Sequence, residues 1–270
     1  MKEISDLYNL INKEYVDILV SFVNKNQLRK PKYSTEYYLY YIILVLTDLQ
    51  KWKSLKLILK NKPKTHYKTI QDIHLKWSKE NIYEHVYIEL LKKYKFKNLK
   101  NSKNIDLFID TTLVYNKNGC ENVSYGMNPK KKESKVSVIC DKHKTIYSIT
   151  THKTSMYDGH TINKSIENIV NNDDIKYKKI NLIGDKGYVC KKEDKNKLLI
   201  SHRIDLIYPN RKNQKQKTSI KNKKLLKNRY VIENVFAKLK TFYRLVVRLD
   251  KLECTFKGFL FLASILKFKK

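Results

Sequence analysis

The chain has 270 residues, 41% of them hydrophobic, which is enough for one large core or two smaller ones. Its 57 lysines and arginines against 26 aspartates and glutamates give a formal net charge of +31, so a polyanion, with nucleic acid as the leading candidate, is the expected partner. The most apolar stretch, residues 37–46, is shorter than the roughly 20 apolar residues of a membrane-spanning helix, and no signal peptide is recognisable. We therefore expect an intracellular protein without a membrane anchor.

The first third of the chain is predicted to be helical. Apolar residues recur at the spacing of an amphipathic helix, beginning with Leu7, Leu10, Ile11, Tyr15 and Ile18. Residues 1 to about 97 fit about four or five helices, with breaks at Pro31 and Pro63. The pattern leaves open whether these helices form a plain bundle or a DNA-binding domain. A lysine-rich stretch at residues 92–104 is the best candidate linker.

From Ile105 onward the pattern changes to that of β-strands. Residues 105–110 alternate between apolar and polar, and residues 136–140 and 145–151 predict a hairpin around residues 141–144. A helix over about 159–171, a strand at 180–184, a helix near 191–199 and a strand at 205–208 follow. The order βββαβαβα is that of the α/β ribonuclease H-like fold, in which helices flank a mixed sheet.

A basic segment follows these strands. Residues 211–229 read RKNQKQKTSIKNKKLLKNR and contain no acidic residue. A solvated surface loop is the plain alternative, but such a long run without an acid favours an arm that contacts DNA phosphates.

Three acidic residues carry the chemical prediction. Asp110 follows the predicted strand IDLFI, Asp185 follows INLIG, and Glu233 lies in the basic helix RYVIENVFAKLK. Each has a structural alternative, because strand-end aspartates form turns and helical glutamates form surface ion pairs. Together they suit phosphodiester cleavage by two metal ions, which needs oxygen ligands around ions about 4 Å apart. We therefore predict that all three are catalytic metal ligands.

Basic side chains are predicted to flank these acids. At 100° per residue, Arg229, Glu233 and Lys240 lie within about 40° of one another on one helical face. Lys186 directly follows Asp185 and is a candidate for phosphate binding. Asp158, in the segment TSMYDGH, is interpreted as a helix cap.

These residues resemble the motifs of the DDE transposases of bacterial insertion sequences. The resemblance is to the insertion-sequence-5-like group of the superfamily that also holds the insertion-sequence-4 type. Its motifs are D-T, D-K/R-G-Y and Y-x2-R-x3-E-x6-K, and the matching positions here are Asp110-Thr111, Asp185-Lys186-Gly187-Tyr188 and Arg229, Glu233 and Lys240. Leu226 stands where the last motif has tyrosine, and Tyr208-Pro209 with Arg211 is a weaker landmark.

The resemblance implies a transposase with two domains. Residues 1–100 would form an all-helical, DNA-binding domain, and residues 101–270 a ribonuclease H-like DDE catalytic domain. Two divalent metal ions, Mg²⁺ or Mn²⁺, would be held by Asp110, Asp185 and Glu233. The implied DNA-binding residues are Lys186, Arg211, Arg229 and Lys240.

The reaction implied is metal-dependent cleavage at the terminal inverted repeats of a mobile element, followed by attack of the freed 3′ hydroxyl on target DNA. Its partners would be double-stranded DNA and a second copy of the chain in a synaptic complex. Two other functions remain open. A catalytically inactive, transposase-derived DNA-binding protein would fit Leu226, and a structure-selective ribonuclease H-like nuclease would share the fold and the acids.

Overall fold

The computed structural model describes residues 2–25, 32–49, 51–60, 65–96, 102, 104–126, 131–170, 175, 178–209 and 219–268. The chain divides into two units. The first unit comprises Met1–Leu90, Asn116–Glu121 and Leu239–Phe268, and the second comprises Leu91–Tyr115, Asn122–Lys238 and Lys269–Lys270. The division near residue 100 that the sequence suggests stays a prediction.

In the first ninety residues, every regular element that the structure describes is a helix or a helical turn. The helices are α1 (Lys2–Leu10), α2 (Lys13–Lys25), α3 (Thr35–Leu44), α4 (Leu55–Leu59), α5 (Tyr67–Lys79) and α6 (Ile82–Leu91), with a π-helical turn at Val45–Leu49 and a 3-10 turn at Trp52–Ser54. The apolar stretch at residues 37–46 lies in α3 and the π-helical turn, and most of it is buried. Within the described residues, we find no helix with the length and apolar character needed to cross a bilayer.

The core of the first unit joins α5 to a C-terminal helix. The side chain of His74 on α5 lies 2.9 Å from the Tyr83 hydroxyl, and its ring stacks on Phe259 with the centroids 4.1 Å apart. Burial lowers the pKa of His74 to about 3, so this imidazole is neutral. Gly258 approaches Ser78 so closely that a Cβ at this position would overlap the serine hydroxyl.

The second unit is built on a mixed sheet. Its strands are β1 (Asn104–Asn116), β2 (Ser124–Tyr125), β3 (Lys132–Asp141), β4 (Ile146–Lys153), β5 (Lys179–Ile183) and β6 (Ile204–Ile207). The spatial order is β4-β3-β1-β5-β6, with β2 beside the start of β3. The pairs β1–β3 and β3–β4 are antiparallel, whereas β1–β5 and β5–β6 are parallel. The predicted hairpin and the predicted mixed sheet are confirmed.

Helices connect and cover these strands. They are α7 (Asp158–Val170), α8 (Lys192–His202), α9 (Ile220–Lys227) and α10 (Tyr230–Leu239). The Ser165 hydroxyl of α7 lies 3.0 Å from Thr150 on β4 and 3.0 Å from Ser137 on β3, which ties this helix to the antiparallel half of the sheet. Helix α8 packs on β6.

The basic helix that the sequence suggests around Glu233 is interrupted. Helix α9 ends at Lys227 and α10 begins at Tyr230, with Asn228 and Arg229 in a turn between them. After α10 the chain returns to the first unit and forms α11 (Tyr243–Val246), β7 (Val247–Arg248) and α12 (Glu253–Leu266). The apolar C-terminal segment is thus a helix, and most of its side chains are buried.

Candidate active site

Asp110 and Asp185 occupy matching positions on two neighbouring strands. The last residues paired between the parallel strands β1 and β5 are Phe108 and Ile183. Each aspartate lies two residues beyond that pair, so the period of the strand returns both side chains to the same face. Sequence reasoning placed Asp110 at the end of its strand, whereas β1 continues to Asn116 in antiparallel pairing with β3. It is the pairing with β5 that stops, and this opens the edge where both acids lie.

A short turn fixes Asp185. Its Oδ1 accepts a hydrogen bond of 2.7 Å from the backbone N–H of Gly187 and caps the 3-10 turn Lys186–Tyr188. A Cβ on Gly187 would lie 2.8 Å from Asp158 Oδ2 and 2.9 Å from Asp185 Oδ1. Only glycine therefore leaves both carboxylate oxygens in place. Asp158 Oδ2 and Asp185 Oδ1 both lie close to the position that a Cβ of residue 187 would take.

Arg229 connects Glu233 to Asp110. Its Nη1 donates to Asp110 Oδ2 at 2.7 Å, and its Nη2 donates to Glu233 Oε1 at 3.2 Å. The turn between α9 and α10 sets Arg229 four residues before Glu233, the spacing at which side chains of successive helical turns meet. The Asp110 side chain is 19% exposed and that of Glu233 is 60% exposed. One guanidinium thus joins a half-buried acid of the sheet to an exposed acid of the helix.

Asp158 is a fourth carboxylate at this edge, and sequence reasoning assigned it a different role. Helix α7 does begin at Asp158, but the side chain is engaged elsewhere. Its Oδ1 accepts bonds from Lys135 Nζ at 2.7 Å and from the Thr111 hydroxyl at 3.0 Å. Lys135 also donates to the carbonyl of Met156 at 2.6 Å and is buried. A lysine in the middle of the buried strand KESKVSVICD was the available sequence signal, because a buried lysine requires a partner.

The electrostatics of the site centre on Asp110. Burial raises the pKa of Asp110 from 3.8 to about 6. The backbone N–H of Thr111, 2.8 Å from Asp110 Oδ1, and the charge of Arg229 lower this pKa, whereas the charges of Asp185 and Asp158 raise it. Burial and the two neighbouring carboxylates thus disfavour the ionised form of Asp110, and an added cation would favour it.

The donor chemistry suits a divalent cation in part. Asp110, Asp185 and Asp158 bring hard carboxylate oxygens to one edge of the sheet, the ligand type that Mg²⁺ prefers. However, no group of three His, Cys, Asp or Glu side chains in the described parts of the chain is arranged to hold a metal ion. Arg229 also holds one oxygen each of Asp110 and Glu233. A cation bound at Asp110 therefore competes with the guanidinium.

The remaining predicted contacts to DNA stay predictions. Lys186 is exposed directly beside Asp185, and Lys240 is exposed one residue after α10, within the first unit. Arg211 lies outside the described residues. Leu226, at the position where the resembling family has tyrosine, is half-buried on α9.

Comparison with known proteins gives one family match and two structural similarities. The family model described as "Transposase DDE domain" matches residues 101–266. A cryo-EM structure of the piggyBac transposase synaptic complex with hairpin DNA is similar with 14% identity and a TM-score of 0.39, over 78% of this chain and 51% of that chain. The crystal structure of a pre-cleavage Mos1 transpososome is similar with 12% identity and a TM-score of 0.28, over 90% and 79% of the two chains.

The chain spans about half the length of the piggyBac transposase chain that it matches. No curated protein sequence gives a significant match. Because the family model covers more than half of its residues, this protein belongs to the family of transposases with a DDE domain.

Proposed function

We propose that this protein cuts DNA at the terminal inverted repeats of a mobile element and joins the freed 3′ ends to target DNA. The observation that supports the proposal is the register of β1 and β5, which gives Asp110 and Asp185 matching positions on neighbouring strands, together with Arg229, which bonds both Asp110 and Glu233. The motif Arg229, Glu233 and Lys240 after Asp185-Lys186-Gly187-Tyr188 favours the insertion-sequence-5-like group within the family.

The proposed catalytic domain has the ribonuclease H-like fold. Three antiparallel strands followed by two parallel strands, in the order β4-β3-β1-β5-β6, support this assignment, as do the helices between β4, β5 and β6. In such a sheet, ligands bind beyond the carboxyl ends of the parallel strands, which is the edge where the two aspartates lie.

In this mechanism, Asp110, Asp185 and Glu233 would hold two divalent metal ions, Mg²⁺ or Mn²⁺. When bound, the ions would activate the attacking oxygen and stabilise the leaving oxygen. The protein orients the ligands: the N–H of Thr111 holds Asp110, and the N–H of Gly187 holds Asp185. If metal ions displaced it from Asp110 and Glu233, Arg229 would be free to pair with a DNA phosphate.

The proposed partners are double-stranded DNA and a second copy of the chain. The lysines of α9 support the DNA partner because all of them are exposed and no acid lies in residues 211–229; they are Lys221, Lys223, Lys224 and Lys227. The net charge of +31 favours phosphate contacts in general. Cutting both ends of an element requires self-association in a synaptic complex, and the protein would act in the cell in association with DNA.

A DNA-binding protein derived from a transposase, without catalytic activity, is the second candidate. Two observations favour it: Arg229 occupies an oxygen of both Asp110 and Glu233, and Leu226 replaces the tyrosine of the resembling motif. The two candidates differ in cleavage, not in DNA affinity.

The test uses the full chain and a plasmid that carries the DNA flanking its gene. With Mg²⁺ or Mn²⁺ we expect cleavage at the repeat ends, reduced about a hundredfold or more in Asp110→Asn, Asp185→Asn and Glu233→Gln. Glu193→Gln, an exposed acid on α8, is the control and should cut normally. DNA binding without any nicking would establish the second candidate instead, and nicking without end specificity or strand transfer would indicate a nuclease.

A further inference from the structure

The first unit contains a pocket that shares no residue with the carboxylate site. Its volume is about 590 Å³, within the range of about 300–1,000 Å³ that small-molecule sites occupy. Its walls come from residues 51–53, from α5, from residues 117–118 after β1, and from residues 244–251. All of these segments belong to the first unit.

The lining of this pocket is strongly cationic. Half of its ten described lining residues are basic and none is acidic; the basic ones are Lys51, Lys53, Lys117, Arg244 and Lys251. With 57 lysines and arginines and 26 acids in 270 residues, ten residues chosen at random would hold about two cations and about one acid. The pocket therefore concentrates positive charge beyond the average of an already basic chain, and this charge favours an anion as ligand.

One aromatic ring in the pocket is held by buried groups. The guanidinium carbon of Arg244 lies 5.7 Å from the centroid of the Trp52 ring and 4.6 Å from that of Phe259. The Arg244 side chain is 2% exposed and donates to Asp250 Oδ1 at 2.6 Å. The His74 ring lies 5.4 Å from Trp52. Trp52 is thus half-buried against fixed neighbours and still lines the pocket.

Hydrogen bonds hold the backbone segments that carry Lys117 and Lys251. The N–H of Lys117 donates to the carbonyl of Arg248 at 3.0 Å, and Asn118 Nδ2 donates to the carbonyl of Leu249 at 3.3 Å. These bonds tie the segment after β1 to the segment that carries Lys251. Ordered attachment points lower the entropy that ligand binding would otherwise cost.

We propose that this pocket binds a single unpaired nucleotide of a DNA strand, with its phosphate among the lysines and its base stacked on Trp52. Cations beside a partly accessible aromatic ring are the combination that binds single-stranded nucleic acid without sequence preference. A base inside a duplex has both faces covered by its neighbours and cannot stack on a protein ring. The proposal rests on DNA as the partner in the proposed function, but it needs neither metal nor the carboxylates.

The chain provides its own reporter for this site. Its two tryptophans are Trp52 and Trp77, and Trp77 is 1% exposed. Fluorescence of the full chain in EDTA is measured during titration with a short oligothymidylate, a duplex of the same length, or inorganic phosphate. We expect the oligothymidylate to quench the accessible tryptophan and to protect it from acrylamide, and Trp52→Phe to remove this response. Equal quenching by phosphate would reduce the pocket to an anion site and overturn the proposal.

A matched pair of double variants tests the phosphate contacts. Lys53→Gln/Lys251→Gln should weaken oligothymidylate binding about tenfold and lower the slope of log affinity against log salt by about 1.4. Lys25→Gln/Lys79→Gln removes the same charge from exposed lysines of the first unit that do not line the pocket, and should change affinity less than about twofold. Equal losses in both variants would refute the site.

The two proposals can fail separately. If oligothymidylate quenches the tryptophan fluorescence but the protein never nicks DNA, the catalytic proposal alone is refuted. A chain that nicks at repeat ends but gives no tryptophan response to oligothymidylate would refute the pocket alone.

Discussion

Replacing Asp110 with asparagine is expected to stabilise the metal-free protein above about pH 6. Asparagine keeps the shape of the side chain but removes a carboxylate whose pKa burial raises from 3.8 to about 6. At 1.36 kcal/mol per pKa unit, this rise corresponds to about 3 kcal/mol by which the fold disfavours the ionised form. The opposing contributions of Thr111 and Arg229 are already contained in that pKa. The side chain is 19% exposed, so solvent screening removes little of the effect.

The sign follows from proton binding. Between about pH 4 and pH 6 the folded protein holds a proton on Asp110 that the unfolded chain releases, so stability falls as pH rises through this window. Asparagine has no proton to lose. The variant and the wild-type protein should therefore be about equally stable near pH 4, and the variant should be more stable by up to about 3 kcal/mol at pH 8.

Urea unfolding in EDTA at constant salt, followed by tryptophan fluorescence, measures this difference at several pH values. Asp194→Asn, an exposed acid on α8, serves as the matched control for removing one carboxylate. Adding Mg²⁺ at pH 8 should stabilise the wild-type protein by mass action and leave Asp110→Asn unchanged. A difference in unfolding free energy between Asp110→Asn and the wild-type protein that stays constant from pH 4 to pH 8 would refute the assigned burial of this charge.

Three further substitutions test contacts in the carboxylate site and beside the Trp52 pocket. Gly187→Ala would press a methyl group against Asp158 and Asp185, and should lower nicking about tenfold to a hundredfold in a plasmid assay while circular dichroism stays unchanged. Lys135→Met removes the 2.7 Å partner of Asp158 and should cost about 1–3 kcal/mol in urea unfolding, most of it recovered by adding Asp158→Asn; no recovery would mean that the lysine acts by packing alone. Arg244→Met leaves Asp250, whose side chain is 5% exposed, without its 2.6 Å hydrogen-bond donor, and should cost about 3–5 kcal/mol, whereas a loss below about 1 kcal/mol would contradict a desolvated pair.

Much of the fold could be predicted because periodicity is a local property. The alternation at residues 105–110 and the apolar runs near residues 136, 146, 180 and 205 each gave a strand, and the order of elements gave the mixed sheet. The break between α9 and α10 could not be predicted in this way. It occurs where Asn228 and Arg229 leave the helix, and Arg229 there binds Asp110, a residue 119 positions away in sequence.

The interpretation of Asp158 as a helix cap shows the same limit within the site. The position at the start of α7 was correct, but the side chain bonds to Lys135 and Thr111, which are 23 and 47 residues away. A cap needs only its own helix, whereas these bonds need the sheet that carries both partners. Nothing in the local sequence distinguishes the two outcomes.

By itself, the sequence determined the residue types, their family motifs and the secondary structure that carries them. The sequence alone shows the spacing of Asp110, Asp185 and Glu233 and the glycine at position 187. Only the tertiary structure decided that Phe108 pairs with Ile183, which makes the two aspartates neighbours, and that burial raises the pKa of Asp110. The physical reason is that side-chain periodicity acts between residues close in sequence. Register, desolvation and charge repulsion depend instead on residues that meet only when the sheet forms.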